Sequence, residues 1–391
     1  MMRRAVFSAA AAAVLAFSFC CAPAQLCTPA QTVAASAVSA SYSSFPSVSE
    51  AGAYLRKCMT RRDTTIEFAV PKDSNSLADI VDMLFLEAIK ETGKGSEGDY
   101  LRLSVQKYDV SVKSNSTTRI FTFTMAYHTN KSQEEFVDKK ASEVLNSLSL
   151  SGKSDYEKIG AVYDYVVNCA EYAEDLSEPT IFSAYGALAN GKVVCQGYSQ
   201  LLYRLLNDAG ISCRTVLGTS NGVDHVWNIA NLEGAYYLLD PTWDSNLGGT
   251  RNYFLRGSSD FDTIEPYTHT ASTGIADNLV FRPDYTSDEF RKAYPIAENA
   301  YVPEVHVKLG TTLGDLNGDD KITAIDASLL LASYASGKQL TREFVAIGDA
   351  NGDGLISSVD ASYILKYYAA LSEGTDLSLE EYVSKIIRRE S

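Results

Sequence analysis

The chain is organised around residues 186–210, which read GALANGKVVCQGYSQLLYRLLNDAG. Apolar side chains recur in this run at the i, i+3, i+4, i+7 spacing of a helix: Tyr198, Leu201, Leu202 and Leu205. Gly210 follows the run at the position where a helix commonly ends with a glycine in the left-handed conformation. The run therefore predicts a helix from about Cys195 to Ala209, with Cys195 in its first turn.

This position makes Cys195 a candidate nucleophile. The first turn of a helix carries unpaired backbone N–H groups and the positive end of the helix dipole, and both favour an anion such as a thiolate. Thiols placed there ionise more readily than free thiols. The alternative is a buried structural cysteine, which is the commoner role of an isolated cysteine.

Downstream, residues 223–244 read VDHVWNIANLEGAYYLLDPTWD, two apolar runs separated by Glu233 and Gly234. This pattern predicts a β-hairpin with a two-residue turn. In that register Asp240 lies opposite Trp227, and His225 shares the face of Trp227 because side chains alternate along a strand. Asp240 and His225 are then diagonal neighbours at about 7–8 Å, within reach of a hydrogen bond between their side chains. A slip of one residue would place them on opposite faces.

Three motifs, VCQGY at 194–198, HVWN at 225–228 and LDPTWD at 239–244, together resemble the transglutaminase-like superfamily. The resemblance covers residues 150–260 in rough outline. It implies a papain-like α+β core and a Cys-His-Asp triad. Cys195 would be the nucleophile, His225 the general base and later acid, and Asp240 the group that orients the imidazole. The roles derived from the helix start and the hairpin register agree.

A thiol enzyme of this kind would act on amides. Cys195 would attack the carbonyl carbon, and its backbone N–H would help to hold the oxyanion. Passing the acyl group to water would make the protein a peptidase or amidase, and passing it to a lysine would make it a transglutaminase. The second oxyanion donor is left open between Tyr185 and Gln196. A catalytically silent binding module with the same fold is the alternative.

Composition excludes other classes of protein. With 391 residues, 46% of them apolar, the chain is long enough for two or three domains with packed cores and is not disordered. The formal net charge of −15 argues against nucleic acid or an anionic membrane surface as partner, because no basic patch or basic helix is present. An acidic, secreted protein fits this composition.

The first 24 residues predict a secretory signal peptide. Two arginines precede the short apolar run 5–19, and Ala22-Pro-Ala24 matches an A-x-A cleavage site. The run is too short and wrongly flanked for a transmembrane helix. Phe19 in front of Cys20 disfavours lipoprotein processing. Residues 25–45 show no periodicity and predict a linker.

The cysteines beyond this segment predict neither disulfides nor a zinc site. They are Cys27, Cys58, Cys169, Cys195 and Cys213. An odd number leaves at least one thiol free, and the spacings match neither a disulfide framework nor a zinc motif.

Two folded regions are predicted after the linker: a small α+β domain over 46–150 and the catalytic domain over 151–300. The second opens with a capping-box pattern, Ser154 and Glu157. The expected elements are helices over 49–57, 76–91, 133–148 and 287–294 and strands over 64–70, 103–113 and 119–128. His128 is expected to be structural. His269 could line the cleft, but a place on a surface loop is the expectation.

The C-terminal region contains an internal repeat. Residues 315–328, DLNGDDKITAIDAS, recur at 349–362 as DANGDGLISSVDAS. Side-chain oxygens at loop positions 1, 3, 5 and 12, with a backbone carbonyl at 7, suit the shell of about six to eight oxygens that calcium requires. The predicted ligands are Asp315, Asn317, Asp319, Lys321 and Asp326 in the first loop and Asp349, Asn351, Asp353, Leu355 and Asp360 in the second. Helices are expected over 328–334 and 362–371.

This duplicated pattern, with Asp at position 12, resembles a type I dockerin over about residues 312–372. The resemblance implies two calcium ions and, as partner, a cohesin domain on the scaffold protein of a cellulosome, an extracellular complex that degrades plant polysaccharide. Loop positions 10 and 11 would contact the cohesin, namely Ala324 with Ile325 and Ser358 with Val359, two pairs that differ in polarity. Asp320 occupies position 6, where a glycine is usual.

The predicted fold class is therefore α+β. A papain-like transglutaminase core is preceded by a small α+β domain and followed by a small all-α calcium-binding dockerin. Residues 301–311 are predicted to link the last two, and residues 373–391 are predicted to form a C-terminal tail.

Overall fold

The computed structural model describes residues 42–263, 268–272, 283–302, 311–335 and 340–390. The predicted signal peptide and most of both predicted linkers lie outside these residues. Within the described ranges, no helix is long and apolar enough to cross a membrane. The fold is mixed α+β, as predicted from the sequence.

The N-terminal part is a sheet with helices packed on it. Its elements are β1 (Ser43–Ser44), α1 (Val48–Thr60), β2 (Thr65–Pro71), α2 (Leu77–Ala88), α3 (Asp99–Ser104), β3 (Val105–Ser114), β4 (Thr118–Tyr127) and α4 (Lys131–Ser147). The strand order is β1-β2-β4-β3. Leu55 of α1, Phe85 of α2, and Phe68 and Phe123 of the sheet lie in one buried core.

All the elements expected in this part occur within a few residues of their predicted ends. Two were not predicted: the two-residue β1, which lies at the end of the predicted linker 25–45, and α3. The second is the larger addition. It is six residues long, and every one of them is buried. A helix with no exposed face has no apolar periodicity, so the pattern of the sequence does not reveal it. Leu103 and Ser104, which were expected to begin a strand, belong to α3 instead.

The middle of the chain combines helices with a second sheet. Its elements are α5 (Asp155–Asn168), β5 (Glu171–Tyr172), β6 (Lys192–Val193), α6 (Cys195–Asp208), β7 (Cys213–Ser220), β8 (Val223–Leu232), β9 (Ala235–Leu239), α7 (Pro241–Asn246), β10 (His269–Ala271) and α8 (Asp288–Ala293). The second sheet has the order β10-β7-β8-β9 and is antiparallel throughout. The short strands β5 and β6 pair in parallel, and β6 comes directly before the start of α6 at Cys195.

Helix α6 is the central helix of this part, and it begins at Cys195 as predicted. The four residues of its predicted apolar face are completely buried: Tyr198, Leu201, Leu202 and Leu205. Gly210 beyond its end has φ +83°, the left-handed conformation expected of the cap. The capping box of α5 is also present, with Ser154 and Glu157 exchanging hydrogen bonds.

The β8–β9 hairpin has the predicted register. Leu232 pairs with Ala235, and Asn228 pairs with Leu239. Glu233 and Gly234 form the turn with φ +55° and +88°, since a two-residue turn of this kind needs left-handed backbone at both positions. The residues that follow β9 therefore return beside His225.

The C-terminal part is helical. It contains α9 (Ala324–Ala335), α10 (Arg342–Gly348), α11 (Ser358–Ser372) and α12 (Leu379–Glu390). Helices α9 and α11 follow the two acidic loops and begin earlier than expected, at loop position 10. Part of the predicted C-terminal tail forms α12, whose Leu379 and Val383 are buried in the core of this region with Leu330 and Ile364.

Candidate active site

Cys195 is the first residue of α6, and its side chain is half-buried beside the core that surrounds His225. The chain enters the helix through β6, and the first turn is tightly packed. A Cβ atom at Gly197 would lie 2.7 Å from Val193 Cγ1 and 2.8 Å from the carbonyl oxygen of Ile181. Only glycine fits at this position, which is why the motif around Cys195 contains one.

The imidazole of His225, on β8, lies near both of its predicted partners, Cys195 and Asp240. Its Nε2 atom is 2.6 Å from Oδ2 of Asp240, and the Cys195 side chain lies close enough to the ring to contribute to the rise of its pKa. Burial opposes protonation of the ring, but the charge and hydrogen bond of Asp240, helped by Cys195, raise the pKa of His225 to about 10. The structure thus brings Cys195, His225 and Asp240 together, and the imidazole favours its charged form.

Asp240 has no solvent exposure, and its carboxylate accepts hydrogen bonds at both oxygens. Oδ1 accepts the backbone N–H groups of Thr242 and Trp243 and so caps α7. Oδ2 faces His225. Burial would raise the pKa of Asp240, but the charge of His225 and the hydrogen bonds outweigh this effect and hold the pKa well below its usual range. The carboxylate is fixed at both ends, which orients the imidazole.

His269 is a member of the same cluster, and its expected place on a surface loop is wrong. It lies on β10 opposite Ser220 of β7, and its side chain is only 3% exposed. Nε2 is 2.9 Å from Oδ2 of Asp240, the oxygen that also faces His225, and Nδ1 is 2.7 Å from Oδ1 of Asp262. The sequence offered no signal, because a three-residue edge strand far from the hairpin has no recognisable pattern.

Aromatic rings enclose the two imidazoles. Trp243 stacks on His225 with ring centroids 5.0 Å apart and an interplanar angle of 22°. The Trp227 ring lies 6.1 Å from the same ring at an interplanar angle of 21°. Both tryptophans therefore wall the cluster. Asp244, one turn beyond Asp240, points elsewhere: it accepts hydrogen bonds from the Tyr163 and Thr250 hydroxyls.

Of the two side chains considered as second oxyanion donor, Gln196 is already engaged elsewhere. The Gln196 amide donates to the carbonyl oxygens of Leu103 and Phe182 at 2.8 and 3.0 Å. The Tyr185 ring packs edge-on against Phe136. No sequence pattern pointed to Tyr172 of β5. Burial raises its pKa, and the nearby charges of Cys195 and Asp240 raise it further.

Two imidazole nitrogens and a carboxylate oxygen of His225, Asp240 and His269 lie within 4.8 Å of one another, a set that can bind a metal ion. Here both imidazoles already hydrogen-bond the carboxylate, and a metal ion would have to replace those hydrogen bonds. We therefore interpret the cluster as a hydrogen-bond network.

The first acidic loop is prearranged for a cation. Asp315 accepts the backbone N–H groups of residues 318, 319 and 320, and Asp326 accepts those of 316, 317 and 323. Both carboxylates are buried, and Asn317 contacts Asp319 beside them. In the described part of the chain, no lysine or arginine forms an ion pair with these groups. Buried carboxylates without a cationic side chain fit a calcium ion.

The second loop repeats this arrangement. Asp349 accepts the backbone N–H groups of residues 352, 353 and 354, and Asp360 accepts those of 351 and 357. Asn351 contacts Asp353 at 2.9 Å, as Asn317 does Asp319. The oxygen donors predicted in both loops thus suit calcium. The carbonyl groups of Lys321 and Leu355 would complete each set.

The four residues predicted to contact a cohesin lie in the first turns of their helices. Ala324 and Ile325 begin α9, and Ser358 and Val359 begin α11. All four are exposed, Ile325 by 59% and Val359 by 47%. Each repeat therefore presents an accessible pair with one large apolar side chain.

Comparison with known proteins identifies two domains. Residues 142–241 match the model of the transglutaminase-like superfamily, and residues 313–368 match that of the dockerin type I domain. The chain thus contains a transglutaminase-like domain and a type I dockerin domain. The first match includes Cys195, His225 and Asp240, whereas His269 lies beyond it.

Individual relatives cover less of the chain. Kyphoscoliosis peptidase from Mus musculus is 32% identical over 123 residues, 28% of this chain and 19% of that protein. The protein of the same name from Homo sapiens is 31% identical with the same coverage. The chain therefore spans about a fifth of the length of these relatives. A solved structure described as a TGase has 15% identity and a TM-score of 0.25, over 48% of this chain and 56% of its own.

Proposed function

We propose that this protein is a secreted cysteine enzyme of a cellulosome that acts on peptide or glutamine amides through a thioester intermediate. The observation that carries the proposal is the 2.6 Å contact between His225 and Asp240, with Cys195 on the same imidazole at a helix start. A buried carboxylate held by two backbone N–H groups supports an imidazolium, and an imidazolium supports a thiolate.

The first half of the reaction forms the thioester. The thiolate of Cys195 attacks the carbonyl carbon, and the electron pair of the C=O bond moves onto the oxygen. The backbone N–H of Cys195, at the start of α6, donates a hydrogen bond to this oxyanion. When the C–N bond breaks, the imidazolium of His225 gives its proton to the leaving nitrogen.

The second half releases the acyl group. Water or an amine gives a proton to His225 and attacks the thioester, and the C–S bond breaks to restore the thiolate. Asp240 holds the imidazole in place during both transfers and stays ionised. Water as acceptor gives a peptidase or deamidase, and a lysine amine gives a cross-linking transglutaminase.

The dockerin domain supplies the attachment. We infer that its two loops hold one calcium ion each and that α9 or α11 binds a cohesin through the exposed pairs at their first turns. The apolar run and cleavage motif in residues 1–24 support export to the extracellular space. On this view calcium shapes the docking surface and takes no part in the chemistry at Cys195.

Mass spectrometry of a glutamine- and lysine-containing protein substrate tests the proposal. The substrate is incubated with the full chain, with Cys195→Ala, and with Cys169→Ala as a matched control at another half-buried cysteine. Cleavage or deamidation indicates transfer to water, and incorporation of an added primary amine indicates transfer to amines. A substrate that stays unchanged over a panel of proteins would favour the silent binding module.

A further inference from the structure

His269 occupies a position between two carboxylates. Its Nε2 is 2.9 Å from Oδ2 of Asp240, and its Nδ1 is 2.7 Å from Oδ1 of Asp262. An ionised carboxylate can only accept hydrogen bonds, so each ring nitrogen must carry a proton to bond its partner. Burial disfavours a charged ring, but these two hydrogen bonds and the charge of Asp240 raise the pKa of His269. The residue is therefore held as an imidazolium.

The ring of His269 is fixed by its neighbours and shielded from solvent. Phe261 stacks on it with centroids 4.2 Å apart and an angle of 30°, and Trp227 meets it edge-on at 5.0 Å. Tyr253 contacts it from a third side at 5.8 Å. A side chain so enclosed does not reach a substrate. Its influence on the reaction passes through Asp240 and, by charge, through the His225 ring, whose centroid is 5.6 Å away.

Asp240 gives His269 such an influence, because His225 and His269 share its Oδ2 atom. Two N–H groups on one oxygen define the plane and direction of the carboxylate better than one. The positive charge of His269 also competes with that of His225 for the same negative charge. His269 therefore fixes the orientation of the carboxylate that bonds His225. Its charge also weakens the His225–Asp240 hydrogen bond.

We propose that His269 is a positioning residue of the thiol site. It orients Asp240, and its positive charge weakens the interaction by which Asp240 stabilises the protonated His225. The proposal rests on the proposed function, since it needs Cys195 and His225 to act as a pair. Among the residues that the structure describes, the titratable groups that face His269 are Asp240 at the start of α7, Asp262 in the preceding loop, His225 on β8, and Tyr253. On β7 its pairing partner is the uncharged Ser220.

Alkylation of Cys195 by iodoacetamide tests this inference without a known substrate. The full chain with calcium is labelled between about pH 4 and pH 10, and mass spectrometry of the Cys195 peptide gives the rate. His269→Ala removes the hydrogen bond to Asp240 and the charge. His269→Gln keeps a donor toward Asp240 but loses the charge, the donor toward Asp262 and the stacked ring. Thr270→Ala, at the exposed neighbour on β10, is the matched control.

We expect His269→Ala to slow labelling near pH 6 by about tenfold to a hundredfold, the range in which outer hydrogen-bond partners of a site act. His269→Gln should recover most of that loss. It should also move the basic limb of the pH–rate profile to higher pH, because no second positive charge then competes with His225 for Asp240. Thr270→Ala should match the wild type. Circular dichroism checks that each variant folds. If His269→Ala does not fold, the shift of the basic limb in His269→Gln alone tests the proposal.

Two further outcomes separate the inference from the function it rests on. If His225→Ala slows labelling but both His269 variants match Thr270→Ala, the positioning role is wrong and the Cys195–His225 pair stands. If His225→Ala labels as fast as the wild type at every pH, the pair itself is wrong, and the role of His269 is wrong with it.

Discussion

Arg214 of β7 donates two hydrogen bonds to Asp99 of α3, from Nε to Oδ2 at 2.8 Å and from a terminal nitrogen to Oδ1 at 3.1 Å. Arg102 donates to the same carboxylate at 3.0 Å, and all three residues are buried. These groups join the N-terminal part of the chain to the sheet that carries His225. An ion cluster of this kind contributes little net stability when complete, but removing one partner leaves buried charges that are no longer fully paired.

Replacing Asp99 by alanine should therefore destabilise the protein by about 3–5 kcal/mol, because buried Arg102 loses its carboxylate and, among the described residues, Arg214 keeps only Glu91, which lies 3.1 Å from its Nε. Urea unfolding followed by circular dichroism measures the change. The control is Glu143→Ala at the solvent-exposed Lys140–Glu143 pair, which should leave the midpoint unchanged. Equal midpoints for the two variants would contradict the role given to Asp99.

His225 should make stability depend on pH in the alkaline range. Its pKa is raised from 6.5 to about 10, so the folded state holds this proton more tightly than the unfolded state does. The resulting stabilisation is complete below pH 6.5 and is lost as pH rises through about 10, by at most about 1.4 kcal/mol per pH unit.

The stability difference between the wild type and His225→Gln should thus shrink between about pH 7 and pH 10. His128→Gln serves as control. Burial lowers the pKa of His128 to about 4, so this residue is neutral above pH 7 whether the chain is folded or not. A difference that stays constant with pH for His225→Gln would contradict the ion pair with Asp240.

Cys195 should be the most reactive thiol of the folded protein near pH 6. Burial raises the pKa of Cys58 and Cys213, and it raises that of Cys169 to about 12, so these thiols stay protonated. Cys195 alone among the four has an imidazolium as partner. Iodoacetamide labelling of the native chain, read out by peptide mass spectrometry, measures the order. Labelling of Cys195 no faster than that of Cys58 or Cys213 would remove it as the nucleophile.

Asp240→Asn should abolish most activity while the fold persists. The amide oxygen can still cap α7, but the amide nitrogen then faces Nε2 of His225 and selects the tautomer with the proton on Nδ1, toward Cys195. We expect a loss on the order of a thousandfold or more in turnover, as a wrong tautomer causes in related triads. His269 loses a charged acceptor as well, which costs about 1–3 kcal/mol of stability.

Kinetics on any established substrate, together with thermal unfolding, separate these two effects. Asp244→Asn is the matched comparison, because its carboxylate bonds Tyr163 and Thr250 and not the imidazole. It should cost stability and leave the tautomer of His225 unchanged. Turnover that survives in Asp240→Asn would exclude Asp240 from the triad.

The features predicted correctly from the sequence are those encoded over short distances. The start of α6, the turn at Glu233 and the acidic loops each depend on residues within about a dozen positions, where spacing and turn chemistry decide the outcome. His269 and the Asp99–Arg214 contact were missed because they join segments far apart in the chain. Such contacts depend on how strands and helices pack, and no local pattern of one sequence encodes them.

Calcium should order residues 311–390, and the second loop should bind it more tightly than the first. Without the ion, Asp315, Asp326 and Asp360 are buried carboxylates that no lysine or arginine of the described residues pairs with, so the small core of this region must offset their repulsion. Hydrogen exchange of the full chain, with calcium and with chelator, measures the ordering by peptide. Equal protection in both conditions would contradict the coupling.

The order of affinity follows from position 6 of each loop. Gly354 has φ +83°, whereas Asp320 is held at φ +62°, a conformation that costs a residue with a Cβ roughly 1–2 kcal/mol and costs Asp less than most. One kcal/mol corresponds to about fivefold in affinity. Calorimetry of Asp315→Ala and Asp349→Ala isolates each site, and Asp320→Gly should tighten the first one. If Asp320→Gly weakens calcium binding instead, the extra carboxylate at that position helps the ion more than the backbone strain hinders it, and the predicted order is wrong.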